Sequence, residues 1–173
     1  MSNVIKMDIS YVGTDQPGIV GKVWEQFYTD AAGNQTSRLY RLIKATSAID
    51  IGDICHVAAA NVNNMRTLGS AGPLAAAANE ALKVAGVGVT QIPSGSYGFV
   101  VCRGNVDTLA VAAAYGGAIG GLLQTSGVIR QTLAWATGAG KSSTIVGTGL
   151  SAIVDHGAGA DPRYTISAYI NVL

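Results

Sequence analysis

Short stretches in which apolar and polar residues alternate dominate the chain. A period of two is typical of half-buried β-strands, because successive side chains point to opposite faces of a sheet. The carboxyl end alternates between two sets: Tyr164, Ile166, Ala168, Ile170 and Val172 against Thr165, Ser167, Tyr169 and Asn171. The amino end does the same: Ile5, Met7, Ile9 and Tyr11 against Lys6, Asp8 and Ser10. Both ends are therefore predicted to be strands.

Five more runs are predicted to be strands or to contain one: residues 39–48, 51–58, 84–92, 97–103 and 145–153. Residues that reverse the chain separate the runs, at positions 14–18, 32–34, 92–95 and 156–162. Short strands between Gly-rich turns are typical of a barrel or a sandwich. Residues 85–92 also resemble residues 146–153, and glycine in such strands usually marks a bulge or a close backbone approach. We expect these two segments to form equivalent corners of one barrel.

Helical signals are few. Residues 72–85 predict a short helix, with Pro73 near its start and Gly86 just beyond its end. The stretch from Val23 to Tyr28 fits either a helical turn or an aromatic-bearing strand. The sequence thus predicts a mainly β fold, a small β-barrel, tulip-like or sandwich domain with one or two short helices. A single domain is expected over residues 1–173, with 1–44 as a possible amino-terminal arm and 45–173 as the β core.

The composition indicates a surface that partners cover. Only 12% of the 173 residues are charged, whereas a typical domain carries about 25%. Gly accounts for 23 residues, or 13%, against about 7% in a typical domain. Free monomers normally stay soluble through mixed surface charge, so a charge-poor surface is expected to be largely buried against other chains. The net charge of +1 argues against nucleic acid as a partner, because nucleic acid is held by clustered Lys and Arg.

Membrane insertion and secretion are not expected. No charge occurs from Thr108 to Ile129, but five Gly and several polar residues interrupt this stretch, which is weakly apolar for a transmembrane helix. Lys6 and Asp8 stand where a secretory signal would be apolar, so synthesis in a cytoplasm is expected. Cys55 and Cys102 lie in separate apolar runs and are predicted to be buried thiols without a disulfide.

Two motifs suggest catalysis but depart from the patterns they resemble. Gly138-Ala139-Gly140-Lys141-Ser142 is similar to the end of a phosphate-binding loop, yet Trp135 stands where the first Gly is required. A nucleotide hydrolase acting through Lys141 is the enzymatic alternative. Ser94-Gly95-Ser96-Tyr97-Gly98 resembles a nucleophile elbow, but the predicted strand follows the turn instead of preceding it. We therefore expect no enzyme and no catalytic residue.

Metal and cofactor chemistry also lack the necessary residues. Asp50, Asp53 and His56 are spaced three apart, and on a strand such neighbours point to opposite faces and do not converge. His156 follows Asp155 in a Gly-rich loop, where such a pair is usually solvated. With two His in total, the sequence predicts neither a metal site nor a cofactor.

Three aromatic residues near the amino end are the remaining candidate site. Trp24, Phe27 and Tyr28 either belong to the core, which is the commoner role of such residues, or form a patch that binds a partner.

A series of motifs resembles a known family. In chain order these are Ile51-Gly52-Asp53-Ile54, Val84-Ala85-Gly86-Val87-Gly88-Val89, Ile92-Pro93-Ser94-Gly95-Ser96-Tyr97-Gly98-Phe99-Val100-Val101-Cys102-Arg103-Gly104-Asn105-Val106, Gly120-Gly121-Leu122-Leu123-Gln124-Thr125-Ser126-Gly127 and Ile145-Val146-Gly147-Thr148-Gly149-Leu150. Together they resemble the capsid decoration (head cement) proteins of tailed bacteriophages. The resemblance covers residues 45–173, and the first 44 residues have no clear counterpart.

The resemblance implies a structural role in the virion. A decoration protein is a small β-barrel or tulip-like domain that forms a homotrimer and binds the major capsid protein on the exterior of a mature head. It would stabilise that head against the internal pressure of packaged DNA. A neck, tail or receptor-binding component of a phage particle is the alternative, and the number of copies per particle distinguishes the two.

Overall fold

The computed structural model describes residues 7–29, 33–57, 70–73, 84–111, 119–120, 122–125, 132–134, 145–158 and 164–172. These ranges contain eleven strands: β1 (Val23–Thr29), β2 (Gln35–Ala45), β3 (Ile54–Val57), β4 (Ser70–Pro73), β5 (Val84–Gly88), β6 (Tyr97–Ala110), β7 (Leu122–Thr125), β8 (Thr132–Ala134), β9 (Ile145–Gly149), β10 (Val154–Asp155) and β11 (Tyr164–Asn171). The mainly β prediction is confirmed. No helix occurs within the described ranges, and hence none that could cross a membrane.

The strands form one sheet in the order β1-β2-β4-β3-β5-β6-β11-β9-β7-β8, with β10 beside β11 and an additional pairing between β2 and β6. All pairings are antiparallel except the short one between β2 and β4. The β2–β6 pairing turns the middle of the sheet back on itself. The end strands β1 and β8 each pair with a single neighbour, so the described sheet is not closed into the predicted barrel.

Strands β2 and β6 are the centre of the fold because their apolar residues are buried on both faces. Leu42 and Ile43 are adjacent and both fully buried, yet they belong to two separate hydrophobic clusters. Val100 and Val101 are divided between the same clusters. Alternation along a strand sends neighbours to opposite faces, so both faces of this part of the sheet are covered by packed side chains.

The predicted amino-terminal strand is wrong over the described residues 7–11, which form a turn. Asp8 Oδ1 accepts hydrogen bonds from the Ser10 backbone N–H at 3.0 Å and from the Ser10 hydroxyl at 2.6 Å. The Tyr11 N–H also donates to the Asp8 carbonyl at 3.2 Å. These local bonds replace a strand ladder. The expected parity survives, since Met7, Ile9 and Tyr11 still pack against the core.

The helix predicted over residues 72–85 is wrong at both ends. Residues 72 and 73 belong to β4, residues 84 and 85 belong to β5, and positions 74–83 lie outside the described residues. Tertiary pairing with β3 overrides the capping signals on which the prediction was based. The open choice for Val23 to Tyr28 resolves as a strand, which is β1.

The two segments that resemble each other occupy similar places. Each begins with a short strand, β5 or β9, whose neighbour in the sheet is a longer strand, β6 or β11. At Gly86 the φ angle is +153° and a Cβ would lie 2.6 Å from the Val101 carbonyl oxygen. At Gly147 a Cβ would overlap the Tyr169 carbonyl oxygen. Both glycines therefore permit the close backbone approach that the sequence predicted.

Residues from the first 44 positions belong to the same sheet as the rest. Strand β2 ends at Ala45 and pairs with β6 from Leu39 to Lys44, and its Leu42 and Ile43 are core residues. A boundary drawn at residue 44 thus falls inside β2.

Candidate partner-binding surface

The three aromatic residues of β1 do not form one cluster. Trp24 is half-buried and its ring meets Phe99 edge to face, with 5.6 Å between centroids and 84° between planes. Lys22 Nζ lies 5.4 Å from the centre of the same Trp24 ring. Because Trp24 packs against the core cluster, its ring serves mainly to attach β1 to the sheet.

Phe27 has the opposite environment, since 71% of its surface is exposed. It pairs across the ladder with Ser37, a small residue that cannot cover an aromatic ring. An alternating strand places Phe27 on the face opposite Trp24 and Tyr28. Of the three candidates, Phe27 is therefore the one whose ring is available to a partner.

Tyr28 supports a charged neighbour. The Arg38 guanidinium lies 4.5 Å from the centre of the Tyr28 ring, and Arg38 Nη2 is 3.5 Å from Asp107 Oδ2. Burial alone would lower the pKa of Arg38, but its interactions with Tyr40, Tyr28 and Asp107 raise that pKa above its ordinary value. Arg38 stays charged and joins the β1–β2 hairpin to β6.

A shallow polar groove opens beside Phe27. Its volume is about 230 Å³ and its lining residues come from β1, β2, β6 and β11: Glu25, Thr36, Ser37, Leu39, Arg103 and Tyr169. Arg103 Nε donates to Tyr169 Oη at 3.2 Å, and this bond raises the pKa of the exposed guanidinium. The groove thus presents a fixed cation, a carboxylate and several hydroxyls, which suit polar groups on the surface of a protein partner.

A second exposed surface is apolar. We call it the aliphatic patch, and it consists of Ile119, Leu150, Ile153 and Val154, which are 39–69% exposed. The Gly120 N–H donates to the Gly149 carbonyl at 2.8 Å, which brings residues 119 and 150 together. The Leu150 N–H donates to the Ser167 carbonyl at 2.8 Å. Val154 pairs with Thr165, which precedes Ser167 by two residues in β11. These bonds place the backbone of residues 119, 150 and 154 in the same part of the sheet, and Ile153 adjoins Val154 in the chain.

The acidic residues before β3 have a structural role. Asp53 is 1% exposed, and its Oδ2 accepts the Asp50 N–H at 2.8 Å, which closes the turn that begins β3. His56 lies farther along, within β3. No group of three metal-ligating side chains occurs in the part of the chain that the structure describes.

His156 and Asp155 also make local bonds. His156 Nε2 lies 2.8 Å from Thr165 Oγ1, and Asp155 Oδ1 accepts the Gly157 N–H at 2.8 Å. The first contact explains an exception to the carboxyl-terminal alternation, because Thr165 is buried although its parity predicts exposure. The pair thus fastens the loop after β10 to β11.

The elbow-like motif is a turn that precedes a strand. Gly95 has a φ of +81°, the Ser94 hydroxyl donates to the Thr46 carbonyl at 3.3 Å, and β6 begins at Tyr97. This is the order that the sequence indicated, and it is the reverse of a nucleophile elbow. The loop-like motif at positions 138–142 lies outside the described residues.

Both cysteines are buried free thiols, as predicted. Burial raises the pKa of the Cys55 thiol far above its ordinary value, and the nearby Asp53 charge adds to the effect. Burial also raises the pKa of Cys102, whose Sγ lies 3.3 Å from the Leu39 carbonyl oxygen. Protonated thiols are poor nucleophiles, so neither residue provides a reactive centre.

Comparison of the chain with family models, with curated proteins and with solved structures finds no match. The resemblance to decoration proteins accordingly rests on the ordered motifs of the sequence.

Sequence reasoning missed the groove and the aliphatic patch. Arg103 and Tyr169 are 66 residues apart, so their contact has no local signal. The parity of β11 did place Tyr169 on the polar side of that strand, which was the only available hint. The patch joins short segments whose exposed Leu and Ile resemble ordinary strand residues.

Proposed function

We propose that this protein is a capsid decoration protein, which binds the exterior of a mature phage head as a homotrimer and stabilises that head mechanically. The observation that supports the proposal best is the pairing of a charge-poor chain with two exposed apolar surfaces, Phe27 and the aliphatic patch. A cluster of exposed apolar residues often marks a site that contacts another protein. Buried interface cores are depleted in charge in the same way as this chain.

The two surfaces belong to different parts of the sheet. Phe27 lies on β1 at one end of the strand order, whereas the aliphatic patch lies beside β9 and β11. A subunit that contacts both its own copies and a shell requires two separate surfaces. We assign the aliphatic patch to contacts between copies, because obligate interfaces are the more apolar kind. Phe27 and the adjoining polar groove are assigned to the major capsid protein.

The mechanism is thermodynamic linkage. A protein that binds the expanded lattice and not its precursor lowers the free energy of the expanded state. Each trimer would contact the lattice through three equivalent surfaces, so a modest contact at Phe27 is strengthened by avidity. This role requires rigid surfaces and no catalytic group.

The proposal is tested on heads that contain or lack the protein. Complete heads should rupture at a higher temperature, measured by release of DNA to a fluorescent dye. Phe27→Asp should abolish binding to heads, while Thr29→Asp, an exposed position on the same strand and face, should retain it. Equal rupture temperatures with and without bound protein would contradict the mechanical role.

Oligomeric state and copy number provide separate tests. Light scattering should give about three times the chain mass of 17.6 kDa, and Leu150→Asp should abolish the trimer. Quantitative gels of purified particles should show the protein in hundreds of copies. A handful of copies per particle would favour the neck, tail or receptor-binding alternative.

A further inference from the structure

The outer edge of β1 has the properties of a strand that pairs with another chain. All seven residues of β1 pair with β2 in continuous register, and no other described strand pairs with β1. An edge strand exposes a row of backbone N–H and C=O groups, which natural proteins normally protect.

Strand β1 has only one of the usual protective features, the charge of Glu25. It has no Pro, no Lys and no bulge, and its exposed Phe27 adds an apolar side chain. Pairing with β2 and the packing of Trp24 on Phe99 also hold the strand in its extended form. The edge is therefore ordered before any partner arrives, which lowers the entropic cost of pairing.

We propose that β1 pairs antiparallel with β1 of a second copy, about a twofold axis that passes midway between the two copies of Gln26. This register is the one in which all seven residues of both strands overlap. It places Trp24 opposite Tyr28 of the partner copy, and cross-strand aromatic pairs stabilise sheets. It also places Glu25 opposite Phe27 of the second copy.

Charge disfavours one of the alternative registers. The strand carries one charge, at Glu25. An axis through Glu25 would bring two carboxylates directly opposite each other, which is unfavourable. An axis through Gln26 avoids this, so the register with the greatest overlap is also compatible with the charge.

The contact goes beyond the proposed function. A twofold contact uses the same surface on both copies, and it cannot by itself close a trimer. It would join one trimer to the next through a contact weaker than those within a trimer, which oxidation can trap in the free protein. It uses the edge of β1, whereas contact of Phe27 with a capsid would use its face.

Disulfide trapping tests the register. Gln26→Cys should give a covalent dimer under mild oxidation, because the axis brings the two residues opposite each other, within disulfide reach. Thr29→Cys is the matched control, since Thr29 is equally an exposed residue of β1 but its two copies would be about 20 Å apart. Mixing separately prepared Val23→Cys and Thr29→Cys proteins should give a mixed dimer. The native thiols are buried and should not contribute.

A pair of charge variants tests the same register independently. In the Gln26→Cys background, Phe27→Lys faces Glu25 of the second copy with an attractive charge, and Phe27→Glu faces it with a repulsive one. Cross-linking should be faster for Lys than for Glu by about fivefold or more, and salt should reduce the difference. Circular dichroism confirms that each variant is folded.

Equal cross-linking of Gln26→Cys and Thr29→Cys, or equal rates for the two charge variants, would overturn the proposal. Both measurements use purified protein without heads. A failure here therefore leaves the rupture experiment unaffected, and the reverse also holds.

Discussion

Separate replacement of Trp24 and Phe27 should show that Trp24 stabilises the fold and that Phe27 does not. Trp24→Ala removes a half-buried ring that meets Phe99 at 5.6 Å and contacts Lys22. Full truncation of a buried Trp costs about 3–5 kcal/mol, and an aromatic pair contributes about 0.5–1.5 kcal/mol of that. Since Trp24 is only partly buried, we expect a loss of about 2–3 kcal/mol. Phe27 is 71% exposed, so Phe27→Ala should change stability by no more than about 0.5 kcal/mol.

Urea unfolding followed by circular dichroism measures both losses. With a slope of about 1–3 kcal/mol per molar urea, Trp24→Ala should lower the midpoint by roughly 1–2 M, and Phe27→Ala should leave it nearly unchanged. Trp24→Phe is the control, because it retains a ring against Phe99 and should lose less. If Phe27→Ala were as destabilising as Trp24→Ala, the division of β1 into a packed face and a binding face would be refuted.

Three further predictions concern stability. Gly52→Ala should cost more than about 3 kcal/mol in thermal unfolding, because φ is +90° and the new Cβ would lie 2.7 Å from the Thr108 carbonyl oxygen. Gly95→Ala is the control: its φ is +81°, but its Cβ meets nothing within 4 Å, so it should cost about 1 kcal/mol. The buried Cys55 thiol keeps its proton, whereas in the unfolded chain the thiol releases it above its ordinary pKa of 9.0. The free energy of unfolding should therefore fall by up to about 1.4 kcal/mol per pH unit above pH 9. Cys55→Ala should remove that part of the pH dependence. Arg38→Lys should lose about 1 kcal/mol in chemical unfolding, since Lys cannot stack a planar group on Tyr28; an unchanged midpoint would show that the stacking does not contribute.

The sequence predicts most strands because their signal is local. Alternation located β11, β6 and the apolar runs that became β2, β3, β5 and β9. It failed at Asp8 and Ser10, where side-chain bonds to the backbone produce a turn with the same parity as a strand. Local alternation does not determine whether the predicted barrel closes, because closure depends on whether the strands at the two ends of the order meet.

The candidate site was only partly predictable. Three aromatic residues in one stretch suggested a patch, and only the choice of strand over helix separates Phe27 from Trp24 and Tyr28 by face. The groove formed by Arg103 and Tyr169 depends on pairing between distant strands. The aliphatic patch depends on the loop bonds around Leu150 and Ser167.

Binding to heads before and after expansion tests the central claim most directly. Purified protein is incubated with heads assembled from the major capsid protein of the same genome, in both lattice states, and bound protein is measured by sedimentation. We predict saturable binding to expanded heads and little to unexpanded ones, with Phe27→Asp failing to bind. Failure to bind either lattice, or equal binding to both, would contradict the account.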